Sequence, residues 1–437
     1  MSKRDISWYE DPNLRNLYLK AASNAMRGYH CAIVSPKYTF TGTNSLNDFI
    51  ILLGACLNPD EKRILIIVDP ELRKFGEKVA NQLKKLRAID SCIFDNVIPE
   101  VPLKSVMQAV EICKEYDPKI MIAIGGGSAI DMAKIILLYY EQPLVNVNTM
   151  MMPSYLGLRK KVHFLAAIPT TSGTGAEASF NAMVTDTRRD PPKKIAVPLY
   201  EFCPDIVVLN PEFTKTMPPY LTMGTGIDAL AHSIGSYVLY GSTPYTDMHN
   251  IKAIEMILEF LPRAVKRRND IEAREKMQMA AYIAGLGFIN TGSAGLEHSL
   301  GHSFGGVFHV HHGVAVGLFL CASVAYQAKV TDRFLDIAKI FGVEVNKKAN
   351  DQILKELLGK MQEFLKKVHC PLSINHLEKP KISREEYINK MNQLINNAFS
   401  DVDTLFSSRY LDKPQINKIF EIVYENKIDD LMKLYYM

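Results

Sequence analysis

The segment Arg63-Ile-Leu-Ile-Ile-Val68 is apolar at every position after its first. A strand with apolar side chains on both faces must be covered on both, as in a parallel sheet flanked by helices. Lys119–Ile124 and Phe164-Leu-Ala-Ala-Ile168 repeat the pattern, and Tyr29–Val34 and Ser91–Phe94 read as further strands. Between them lie segments of helical periodicity: Asn47–Leu57, Glu71–Leu86 after Pro70, Leu103–Tyr116, and about Ala129–Tyr140. Strands alternating with helices imply parallel βαβ units with right-handed crossovers.

From about Thr216 the pattern changes. Asp228–Tyr240, Asp247–Arg268, Ala273–Leu286, Leu296–Phe304 and Val314–Gln327 have helical periodicity, and strand-like runs become rare. Further helices are expected at Asp332–Phe341, Gln352–Val368, Arg384–Asn397 and Lys413–Leu434. Pro211, Pro218 and Pro219 mark the change, and 437 residues exceed one ordinary core. The expected organisation is an α/β dinucleotide-binding domain over residues 1–215 and an all-helical metal-binding and substrate domain over 216–437.

Two glycine-containing turns follow apolar strands. Lys119–Ile124 runs into Gly125-Gly-Gly-Ser128 and then a helix. Such a turn lets backbone approach a pyrophosphate, and a helix N-terminus offers free N–H groups and a positive dipole end. It also serves as a plain strand-to-helix turn. Phe164–Ile168 runs into Pro169-Thr-Thr-Ser-Gly-Thr-Gly-Ala-Glu177, whose hydroxyls suit a ligand or the cap of a helix starting near Gly175. Ligands of open α/β sheets bind at this strand edge. Asp69, closing the first apolar run, suits a ribose 2′-hydroxyl or a helix cap equally.

Asp228 and His232 stand four apart in a helical segment, as do His298 and His302, and five of the eleven histidines fall between His298 and His312. Residues spaced by four share a helix face. Imidazole suits iron, zinc, copper and nickel, and one carboxylate with three imidazoles leaves room for an open coordination position.

Four segments taken together, Gly125–Asp131, Ile168–Glu177, Gly226–Gly235 and Gly295–Gly313, resemble the iron-containing (group III) alcohol dehydrogenases in order and separation. The resemblance runs from about Phe40 to the C-terminus. It implies the dehydroquinate synthase-like fold: an N-terminal dinucleotide-binding α/β domain followed by an all-α domain. It implies metal ligands at Asp228, His232, His298 and His312, with His302 near the metal and substrate but not a ligand. Cofactor contacts are implied at Gly126, Gly127, Ser128, Thr170, Thr171 and Thr174, with Asp69 at the ribose-selective position and Lys194 beside the ribose. The implied reaction interconverts a primary alcohol and its aldehyde with NAD(H), NADP being the alternative nucleotide and Zn2+ the alternative to Fe2+. Three places depart from the family pattern: His311 replaces a common proline, Pro99-Glu-Val101 replaces Pro-Asn-Pro, and Glu297 replaces a usual apolar residue.

His302 is expected either to relay a proton or to orient a ligand. The alternative functions are a polyol or sugar-phosphate dehydrogenase on the same fold and a non-catalytic nucleotide- or metal-binding protein. With 51 basic and 47 acidic residues and no basic stripe, nothing points to nucleic acid. The apolar runs are too short or interrupted for membrane spans. Seven scattered cysteines without a CxxC pair fit reduced thiols and a cytoplasmic protein. A homo-oligomer, dimer or larger, acting on a small alcohol or aldehyde is expected.

Overall fold

The computed structural model describes residues 32–56, 62–150, 153–188 and 193–437. They form two compact units: Val34–Met217 with Arg274–Gly285, and Pro218–Ala273 with Leu286–Met437.

In chain order the sheet unit contains β1 (Tyr38–Thr41), α1 (Ser45–Cys56), β2 (Arg63–Val68), α2 (Arg73–Arg87), β3 (Asp90–Phe94), α3 (Leu103–Tyr116), β4 (Ile120–Gly125), α4 (Gly127–Glu141), β5 (Phe164–Pro169), β6 (Asn181–Asp186), β7 (Lys193–Pro198) and β8 (Ile206–Leu209). Six strands make one parallel sheet in the order β1-β8-β5-β4-β2-β3, and β6 and β7 form an antiparallel hairpin. Alternation along β2 explains its unbroken apolar run. Ile64, Ile66 and Val68 pack with Phe49 and Ile50 of α1 and Val79 and Leu83 of α2. Leu65 and Ile67 face the opposite layer, with Val106 and Val110 of α3 and Ile130 and Ile136 of α4. After β3 the chain returns to the other side of β2 to form β4, so the strand order reverses between β2 and β4. A crevice outside the strand ends at such a reversal is where open α/β sheets hold ligands.

The second unit is helical: α5 (Pro219–Tyr237), α6 (Pro244–Lys266), α7 (Ile271–Thr291), α8 (Leu296–Phe308), α9 (His312–Gln327), α10 (Phe334–Ile340), α11 (Asn350–Lys367), α12 (Arg384–Ser400), α13 (Val402–Leu405), α14 (Lys413–Val423) and α15 (Ile428–Tyr436). The middle of α7 counts with the sheet unit instead. There Gln278 Nε2 donates to the Pro169 carbonyl at 2.9 Å, and the Tyr282 and Thr39 hydroxyls meet at 2.8 Å. Within the helical unit α5 packs on α6 and α9, and α9 on α8.

Three expectations need correction. Of the strand expected at Tyr29–Val34, residues 29–31 lie outside the described residues and 32–34 are not in a strand; β1 begins at Tyr38. Lys413–Leu434 is two helices, because Asn426 adopts φ 52° and its amide turns inward to donate to the carbonyls of Leu372 and Leu318. Gly175, at φ 61°, leads only into a single 3-10 turn, Ala176–Ala178, and the chain then enters β6.

Candidate metal centre and cofactor loops

Helix α5 carries one charged residue, Asp228, with His232 one turn further on. Helix α8 supplies His298 and His302, and His312 is the first residue of α9. Close backbone approach joins these elements: a Cβ at Gly313 would stand 1.9 Å from the Gly224 carbonyl oxygen, so glycine lets the start of α9 lie against α5.

Asp228 Oδ1 lies 3.4 Å from His298 Nε2 and 3.1 Å from His312 Nε2. The ligand atoms of these three residues lie within 4.8 Å of one another. His232 stands beside the group rather than within it, its ring stacked on His298 at 4.4 Å and on Phe288 at 4.2 Å. Burial opposes the charge of Asp228, but His232, His312 and His298 outweigh it and hold the carboxyl well below the usual range. Burial pushes His232 down to about 3, which keeps its imidazole neutral. Burial also opposes charge on His298, yet the Asp228 and Glu297 carboxyls on either side hold its pKa up at about 10.

Asp228 Oδ1, His298 Nε2 and His232 Nδ1 are all buried without a hydrogen-bond partner. Leaving a buried polar atom unsatisfied costs about 1–3 kcal/mol. Of these, Asp228 Oδ1 and His298 Nε2 converge with His312 Nε2, and that oxygen and imidazole set fits a divalent cation such as iron or zinc.

His302 is differently placed. Its Nδ1 lies 3.0 Å from Asp401 Oδ2 and 3.9 Å from Asp403 Oδ2, and its ring stacks on His312 at 5.2 Å. Its partner is therefore a carboxyl from the end of α12 rather than one of the expected ligands. Asp401 and Asp403 were not singled out in the sequence; Asp401 is 99 residues from His302, and no local pattern announces the pair.

In the sheet unit, the Gly125–Ser128 turn and the Thr170–Gly175 loop leave the carboxyl ends of neighbouring strands β4 and β5. Thr170 N donates to the Gly125 carbonyl at 2.9 Å. A Cβ at Gly126 would touch Thr171 at 3.4 Å, and one at Gly127 would touch Thr174 at 3.2 Å. Helix α4 begins at Gly127, next to Ser128, and no side chain caps it. An uncapped N-terminus beside a hydroxyl-rich loop fits the pyrophosphate of a dinucleotide.

Asp69 directly follows β2 at the sheet reversal, and its Oδ2 accepts from Gly126 N at 3.3 Å. Arg73 does not neutralise it, being engaged with Glu77 and Asp95. Lys194 lies on β7, its Nζ 2.6 Å from Glu100 Oε2. Ser172, a loop hydroxyl outside the implied cofactor contacts, is buried without a partner. Behind the loop, Lys134 is fully buried and donates to the carbonyls of Ala176 and Asn181. Burial outweighs the attraction of Lys134 and raises Glu177 to about 7.

Residues 36–211 match the family model for iron-containing alcohol dehydrogenase, and residues 222–424 match the model for the C-terminal part of the Fe-containing alcohol dehydrogenase family. The chain belongs to the iron-containing alcohol dehydrogenase family. It is 34% identical over 395 residues to the NADPH-dependent butanol dehydrogenase of Clostridium saccharobutylicum, covering 89% of this chain and 97% of that one. It is 33% identical over 369 residues to the NAD-dependent methanol dehydrogenase of Bacillus methanolicus, covering 82% and 92%. The solved alcohol dehydrogenase from Oenococcus oeni superposes with a TM-score of 0.80 at 25% identity, covering 90% of this chain and 100% of that one. As an iron-containing alcohol dehydrogenase, the protein is an oxidoreductase acting on alcohols, and its family implies a metal and NAD(P). No helix among the described residues is long and apolar enough to cross a membrane.

Proposed function

We propose that this iron-containing alcohol dehydrogenase interconverts a primary alcohol and its aldehyde, with Fe2+ on Asp228, His232, His298 and His312 and NAD(H) on the β4 and β5 loops. The observation that carries the reading is the convergence of the orphaned Asp228 Oδ1 and His298 Nε2 with His312 Nε2. When bound, the cation supplies Lewis-acid polarisation of the substrate oxygen, and the nicotinamide exchanges the hydride.

The chain's own residues do the rest. Asp228 contributes the negative charge of the donor set, and the neutral imidazole of His232 offers a lone pair. Gly126, Gly127 and Ser128 present backbone to the pyrophosphate, flanked by Thr170, Thr171 and Thr174, and Lys194 serves the ribose side. Asp69 accepts from a ribose 2′-hydroxyl and repels a 2′-phosphate, which favours NAD(H). His302, its Nδ1 3.0 Å from Asp401 Oδ2, is the residue proposed to move the proton, and its side chain retains 37% exposure to water. The buried free thiols of Cys113, Cys203, Cys321 and Cys370 suit the cytoplasm.

Elemental analysis tests the reading directly. Purified protein should carry about one Fe2+ or Zn2+ per chain, and His298→Ala should lose most of it. Aldehyde-dependent oxidation of NADH, followed by absorbance across a panel of aldehydes, identifies the substrate. Equal metal content in the variant and the wild type would refute the ligand set.

A further inference from the structure

Glu297 immediately precedes a proposed ligand, and its side chain is completely buried. Its Oε1 lies 3.2 Å from His298 Nδ1. Its Oε2 accepts from the Ser323 hydroxyl at 2.7 Å. Ser323 Oγ in turn accepts from Gln327 Nε2 at 3.0 Å, so the serine proton is free for Glu297. Gln327 Oε1 accepts from the backbone N of Ser408 at 3.3 Å. Ser323 and Gln327 lie one turn apart on α9, the helix whose first residue is His312. The carboxyl fits because position 235 is glycine: a Cβ there would stand 1.9 Å from Glu297 Oε1.

Both carboxyl oxygens thus face donors, the pattern of a carboxylate acceptor. A hydrogen bond from Nδ1–H toward Glu297 orients the His298 ring and leaves Nε2, the orphaned atom beside Asp228, as the nitrogen that would give its lone pair to a metal ion in place of its proton. A divalent cation with Asp228 as its one charged ligand would leave a buried net positive charge. A second carboxylate one hydrogen bond behind His298 neutralises it.

We propose that Glu297 is a positioning residue for metal binding: through His298 Nδ1 it orients the imidazole and makes it a stronger donor, and Ser323 and Gln327 hold the carboxylate in place. The proposal rests on the ligand set proposed above and assigns a role to the residue that departs from the family's usual apolar choice.

The test compares wild type, Glu297→Gln and Ser323→Ala, each first stripped of metal. Affinity for Zn2+ is measured by competition with a chromogenic chelator, and thermal melting of each stripped protein controls for the fold. Glu297→Gln keeps size and one acceptor while removing the charge. It should weaken Zn2+ binding by about 10–100-fold with little change in melting of the stripped protein. Ser323→Ala, which touches no ligand, should weaken binding less, and the ligand-field spectrum of the Co2+-loaded Glu297→Gln protein should shift. Equal Zn2+ affinity in wild type and Glu297→Gln overturns the proposal. If Glu297→Gln does not fold, Ser323→Ala decides: weaker binding with unchanged melting supports the role, and unchanged binding overturns it. A wild type that binds no Zn2+, Co2+ or Fe2+ would instead overturn the ligand set itself, so the two failures are distinct.

Discussion

Glu177 offers a quantitative test of the loop environment. Its carboxyl is buried at the end of the Thr170–Gly175 loop, and its pKa stands at about 7 against an ordinary 4.5. Between these values the unfolded chain has released this proton while the folded chain retains it. The folded state then binds more protons, so stability falls as pH rises through the window and levels off above about 7. At about 1.4 kcal/mol per pH unit, the gap corresponds to about 3 kcal/mol. Glu177→Gln removes the titration and keeps the shape. Urea unfolding of metal-free wild type and variant, followed by circular dichroism at matched pH values from about 5 to about 8, isolates this group because the other ionisations largely cancel. The variant should gain on the wild type by about 2–3 kcal/mol across that range, nearly all of it below neutrality. A stability difference that stays constant with pH would refute the argument that burial holds this carboxyl protonated.

Two further outcomes follow from the proposed site. Asp69→Gly should raise kcat/KM with NADPH relative to NADH, because the carboxylate bound to Gly126 N is removed; a wild type already equal or better with NADPH rejects Asp69 as the selective residue. His302→Gln should retain metal while kcat falls, by about 100-fold or more if the imidazole moves a proton. Loss of metal at unchanged turnover per bound ion would make it an orienting residue instead, and normal metal with normal kcat would remove it from the mechanism.

The inner strands were readable because burial on both faces writes itself as an apolar run: Ile64–Val68 and Ile120–Ile124 carry no polar residue. The hairpin was not. β6 alternates partly and fully buried residues in Asn181–Asp186, and β7 opens on two lysines after two prolines. β8 is only four residues long. At the proposed metal site the helical spacing of four placed Asp228 with His232 and His298 with His302. What spacing cannot convey is how helices are rotated against one another: His302 turns to Asp401, and His232 stacks beside the compact Asp228, His298 and His312 group. Glu297 was visible only as an oddity, since its partners Ser323 and Gln327 become neighbours only when α8 and α9 pack.

Residues 274–285 complete the sheet unit, although 56 residues of the helical unit, Pro218–Ala273, come before them in the chain. On the ribosome, the sheet unit therefore lacks part of its structure until Gly285 has been made, long after β8 has emerged. An excised fragment ending at Met217 would leave the Pro169 carbonyl without Gln278 and the Thr39 hydroxyl without Tyr282. Domain shuffling by a single cut at the proline-rich boundary would separate the cofactor loops from a piece of their own support, so recombination must treat this polypeptide as an interleaved unit.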